Sequence, residues 1–213
     1  MEKTLARPGV SPAARPAVRT RRQQLRNGGR GALIGTSFGL MWFALGQPAV
    51  QGAARPAVLG AGLLLLAASA AAVVRLFVLA RRTPADEAGL PMPAVPAGGP
   101  RFLTVVLVQA VALGVGNGFV RGSLHRPELM LSWSALVVGA HFFPMARILG
   151  APVLKVVGVA MIATVGLAAL AAVLLPGAPA GVWQAVPGIG CAAVLWTAGA
   201  VTGLRAGRRR SAA

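Results

Sequence analysis

Six apolar runs follow one another between Gly31 and Leu204, covering approximately residues 31–50, 56–79, 102–120, 129–149, 153–175 and 182–204. Each is continuously apolar, with none of the strict alternation that a barrel strand with one wet face would show. A helix needs about 20 apolar residues to cross a bilayer, and the five runs after the first have about that length or more. The first is shortest, since its apolar part closes at Gly46 before Gln47 and Pro48. The pattern predicts an all-α fold: a six-helix transmembrane bundle over residues 31–204. Two segments interrupt the pattern and one follows it. Residues 1–30 lack apolar periodicity and read as a disordered basic tail. Residues 83–100 carry five prolines and three glycines, which disfavour a regular helix, and read as a linker. Residues 205–213 read as a second basic tail.

The charges sharpen this picture. If all six runs cross, 18 of the 21 Lys and Arg residues fall on one side. They are Lys3, Arg7, Arg15, Arg19, Arg21, Arg22, Arg26 and Arg30 before the first run, then Arg75, Arg81, Arg82 and Arg101 around the linker. Arg147 and Lys155 lie between the fourth and fifth runs, and Arg205, Arg208, Arg209 and Arg210 follow the sixth. Only Arg55, Arg121 and Arg126 fall on the other side. Basic residues accumulate in cytoplasmic loops, so the N-terminus, the C-terminus, both tails and the linker are expected to be cytoplasmic. Removing one crossing would scatter these charges over both faces.

The same distribution changes the meaning of the net charge of +17. In a soluble domain it would suggest nucleic acid. Here it serves orientation and contact with an anionic inner leaflet, and no nucleic-acid partner is expected. The abundance of Arg over Lys, with many alanines, suggests a bacterial protein of the cytoplasmic membrane. Thr20-Arg21-Arg22-Gln23-Gln24-Leu25 resembles a twin-arginine export signal, but Gln24 stands where that pattern favours Phe. The segment reads as a basic flank on the first helix.

Few residues in the apolar runs can carry chemistry. The fourth run holds Ser134, His141, Pro144 and Arg147. Pro144 has no N–H, so the carbonyl of Ala140 loses its helical donor and a kink is expected there. His141 lies one turn before Pro144, and Ser134 lies on nearly the same face seven residues earlier. An ionisable side chain at that depth is a candidate functional group. Asn117 and Gln109 on the third run are the other embedded amides. His141, Asn117 and Ser134 are therefore the candidate cavity or ligand contacts. The competing reading of His141 is a structural one, in which it bonds a carbonyl released by the proline. Glycines four apart form small-residue grooves at Gly31, Gly35 and Gly39, at Gly114 and Gly118, and at Gly199 and Gly203. These suit helix packing within the bundle, or else contact with a second copy or a membrane partner. Gly114-x-x-x-Gly118-Phe-Val-Arg121 also resembles Gly199-x-x-x-Gly203-Leu-Arg205, a likeness too short to establish a repeat of two three-helix halves.

The residues exclude several classes. Only four acids are present, and none falls in an apolar run. Without an embedded acidic pair, a Ser–His–Asp set, HExxH or a phosphate-binding glycine loop, no catalytic residues, metal or cofactor are expected. The lone Cys191 can form no intrachain disulfide. Glu128 is expected to form a local ion pair in the outer loop that also holds Arg121, His125 and Arg126.

The stretch Val138-Gly139-Ala140-His141-Phe142-Phe143-Pro144-Met145-Ala146-Arg147 resembles a His-Phe-(Leu/Phe)-Pro segment of small uncharacterised multipass bacterial membrane proteins. That resemblance covers about a tenth of the chain. It singles out His141 and Pro144 and implies nothing about a substrate. The first expectation for function is a non-enzymatic scaffold or accessory subunit. The alternatives are a small proton-linked or passive transporter organised around the fourth helix, and an intramembrane enzyme acting on lipid-like substrates.

Overall fold

The computed structural model describes residues 20–85, 87, 99–174 and 180–208. The expectations for residues 1–19, for most of the 83–100 linker and for 209–213 lie outside the described residues. Six long helices follow in order: α1 (Arg21–Gly46), α2 (Ala54–Arg82), α3 (Pro100–Gly122), α4 (Met130–Ile148), α5 (Val153–Leu174) and α6 (Val182–Arg208). Short 3₁₀ turns at Gln47–Ala49 and Pro127–Leu129 join α1 to α2 and α3 to α4. The fold is an all-α bundle, and five of the six helices are long and apolar enough to cross a membrane. The exception is α1.

Two boundaries differ from the sequence reading. Residues 21–30 are the first turns of α1, not part of a disordered tail. A reciprocal cap starts them: the Thr20 hydroxyl accepts from the Gln23 N–H at 3.4 Å, and the Gln23 side chain accepts from the Thr20 N–H at 3.2 Å. Arginine and glutamine are good helix formers. One narrow stripe then suffices for packing, with Leu25 and Ala32 buried against Val73, Leu76 and Ala80 of α2. Gly29 lies under the Phe77 ring. At the other end, α6 continues past Leu204 to Arg208, so the second tail begins later than expected.

α1 holds its place by packing. Its apolar half, residues 31–46, would span only about 24 Å at 1.5 Å per residue, against a hydrocarbon core of roughly 30 Å. Yet it lies along the whole of its neighbours. At its start, Arg21 pairs with Glu87 just beyond α2, at 2.6 Å. At mid-length, the Thr36 and Ser69 hydroxyls of α1 and α2 are 2.7 Å apart, and the Trp196 indole N–H of α6 donates to the Thr36 carbonyl at 3.1 Å. At its end, Gly46 meets Gly188 of α6 so closely that a Cβ on Gly188 would lie 2.5 Å from the Gly46 Cα. α1 therefore extends alongside α2 and α6 from one end to the other, and its start lies at the same end of the bundle as the end of α6.

α6 is the central helix and packs on α1, α2, α4 and α5. Cys191, Ala192, Leu195 and Trp196 form the main core with Trp42, Ala135, Val157 and Met161. α4 and α5 touch backbone to backbone, since a Cβ on Gly158 would fall 2.5 Å from the Gly139 carbonyl oxygen. Pro187 is buried inside α6. Having no N–H, it leaves the carbonyl of Trp183 without a helical donor. Ser132 of α4 supplies one, its hydroxyl donating to that carbonyl at 2.8 Å. Large apolar side chains such as Leu64, Val115, Val156 and Val173 point outward, which suits a bundle whose solvent is lipid.

Candidate functional site

The embedded polar residues singled out by the sequence fall on α3 and α4. α3 packs on α4 and on the turn before it, and Val120 is its one fully buried residue. Its half-buried stripe, which includes Gln109, Ala112, Gly116 and Asn117, faces α4. The two helices are antiparallel, joined by a loop in which Arg126 and Glu128 form the expected local ion pair at 3.3 Å.

The half of the pair nearer the connecting loop is held by two polar contacts. The Asn117 amide donates to the Ser134 hydroxyl at 3.2 Å. One residue earlier on each helix, the Trp133 ring lies over Gly116, and its N–H donates to the Ala112 carbonyl at 3.1 Å. Gly116 is required here because any Cβ would run into that indole. The structure thus brings Asn117 and Ser134 together.

It does not bring His141 to them. His141 lies seven residues beyond Ser134, about 10 Å along the helix, and its ring meets Phe142 edge-on with centroids 5.7 Å apart. The structural role expected for it, a bond to a released carbonyl, is not made: Nδ1 is buried with no partner among the described residues. The Asn117 side-chain oxygen is likewise buried without a partner. Antiparallel register, read from the Asn117–Ser134 and Gly116–Trp133 pairs, sets Gln109 level with His141. α4 itself is continuous through Pro144 from Met130 to Ile148.

The other end of the same helix pair, where α3 begins and α4 ends, opens into a shallow cavity of about 420 Å³ lined by Arg101, Phe143, Pro144, Arg147 and Ile148. A well-formed stop fixes the end of α4 beside it. Gly150, with φ of 61°, donates to the Arg147 carbonyl at 3.4 Å, and Ala151 donates to the Ala146 carbonyl at 3.0 Å. A second cavity of about 110 Å³ lies among α1, α2 and α6, walled by apolar residues that include Phe43, Leu65 and Trp196. His141, Asn117 and Ser134 line neither of these two cavities.

The glycine grooves divide into two kinds. Gly39 faces the Trp196 indole, Gly199 faces Ser69, and Gly203 faces Ala72, each within 2.7 Å of an added Cβ. These pack the bundle. Gly35 makes ordinary contact with the Leu195 carbonyl, while Gly31, Gly114 and Gly118 would meet nothing within 4 Å. Gly114–Arg121 and Gly199–Arg205, alike as strings, therefore occupy unlike surroundings: one is on the edge helix and the other at the centre.

Sequence reasoning missed Arg101, Trp133 with Gly116, Ser132, and the Thr36–Ser69 pair. Arg101 was within reach, because folding α3 back on α4 through a short loop sets it level with Arg147. Comparison with protein-family models, with curated proteins and with solved structures finds no match for this chain.

Proposed function

We propose that the chain is a non-enzymatic scaffold or accessory subunit of the bacterial cytoplasmic membrane, with α3 as its docking helix. The observation that carries this is the position of α3. Its long contact is with α4 alone, and it turns Leu103, Leu107, Val108, Val111, Val115 and Phe119 outward. Gly114 and Gly118 lie open on this helix. Close helix approach in lipid depends on small residues where packing replaces the hydrophobic effect. An open glycine pair beside exposed valines suits a second membrane helix, either from another protein or from a second copy. The transporter reading asks His141 and Asn117 to converge on a polar cavity, and the distance of about 10 Å along α4 between His141 and Ser134, the partner of Asn117, favours the scaffold instead.

The test places a photo-activatable residue at Val115 in the intact membrane, with a second at Val156 of α5 for comparison. Both valines are highly exposed. A discrete protein adduct at 115 is expected, absent at 156 and abolished by Gly114→Leu with Gly118→Leu. A Cβ at either position meets open space, so the monomer is expected to stay folded, as thermal unfolding of the variant would check. Adducts with lipid alone at position 115 would reject the docking role.

A further inference from the structure

From the cavity between α3 and α4 we infer a binding site for the phosphodiester headgroup of an anionic phospholipid. Two arginines on different helices, Arg101 and Arg147, line one cavity. Neither forms an ion pair with a carboxylate among the described residues. Two like charges brought to one cavity at the edge of a low-dielectric layer repel each other, and an anion between them removes that repulsion. Guanidinium also suits phosphate geometrically, offering paired N–H donors to paired oxygens.

The remaining walls identify the source of the phosphate. Phe143, Pro144 and Ile148 are apolar, and at about 420 Å³ the space exceeds what a bare phosphate fills. The cavity lies where α3 begins and α4 ends, at the same end of the bundle as Arg81 and Arg82 of α2, which is the face rich in basic residues. Val108 of α3, seven residues on from Arg101 and so on the same flank of the helix, is exposed and leads toward the middle of the bundle, offering a path for acyl chains. A headgroup held by Arg101 and Arg147 with its chains along α3 satisfies both halves of the site. Basic pockets between membrane helices on the cytoplasmic side are a recurring form of lipid recognition. Gly150 and the stop at Ala146–Ala151 keep Arg147 in place.

The experiment is native mass spectrometry of the full chain in neutral detergent, titrated with phosphatidylglycerol, phosphatidylcholine or inorganic phosphate. One retained phosphatidylglycerol per chain is expected at concentrations where phosphatidylcholine leaves none. Arg101→Gln with Arg147→Gln should weaken that adduct at least tenfold. Arg81→Gln with Arg82→Gln removes the same charge from the same face and should leave it within twofold. Each single variant, Arg101→Gln or Arg147→Gln, should fall between, so the result does not depend on the double variant alone. Equal losses from the two double variants would reduce the effect to diffuse charge and overturn the site. Displacement of the lipid by millimolar phosphate would assign the cavity to a free anion and overturn the lipid.

Discussion

Single glycines decide which contacts this bundle can make, and their roles are opposite in kind. Gly116 accommodates the Trp133 indole and Gly39 the Trp196 indole. Gly116→Ala and Gly39→Ala are each expected to destabilise the protein by about 1–3 kcal/mol, the usual range for overpacking. Gly114→Ala, which meets open space, should leave stability unchanged or slightly raised. Thermal unfolding in one detergent separates the three. Ser132→Ala removes the donor from the Trp183 carbonyl that Pro187 leaves free, and a loss of about 1 kcal/mol is expected in the same measurement. None of these partners is visible along the chain. Composition marks a glycine as small, whereas the identity of the facing residue depends on helices up to 160 positions away, as for Thr36 and Trp196.

At the scale of the element, α3 is set apart from the others. Its apolar run is as clear in the sequence as that of α6, yet α6 lies at the centre and α3 at the edge. Hydropathy reports that a helix prefers lipid or core to water, and it cannot distinguish lipid from core. The candidate cluster was legible to the same extent. Asn117 and Ser134 meet because α3 folds back on α4 through a short loop, which their spacing allows. His141 shares a face with Ser134 but is two turns away from it. His141→Ala is therefore expected to preserve α3–α4 pairing, whereas Asn117→Ala removes one of its two polar contacts. Disulfide trapping between cysteines placed at Leu113 and Val137, level with each other in the register of the Asn117–Ser134 and Gly116–Trp133 pairs, should report α3–α4 pairing in each variant. Loss of trapping in His141→Ala would reassign that residue to the helix interface.

At the scale of the whole molecule, α1 joins sequence and fold most tightly. Its apolar half was legible, and its cationic half was read as tail because four arginines mask the stripe of Leu25, Gly29 and Ala32. That stripe, the Thr36 contacts and the Gly46–Gly188 approach carry a helix of limited apolar length along the whole bundle. The docking face of α3 and the lipid cavity both take their orientation from this arrangement, since a crossing by α1 as well as the five apolar helices would put Arg21, Arg101, Arg147 and Arg205 on one side. The direct test is labelling of single introduced cysteines with a membrane-impermeant maleimide, in intact cells and after permeabilisation. Cys191 is sealed in the core and should stay silent. Gln51→Cys and Ser123→Cys are expected to label in intact cells, and Asn27→Cys only after permeabilisation. Labelling of positions 27 and 51 from the same side would mean that α1 does not cross, and would contradict the account.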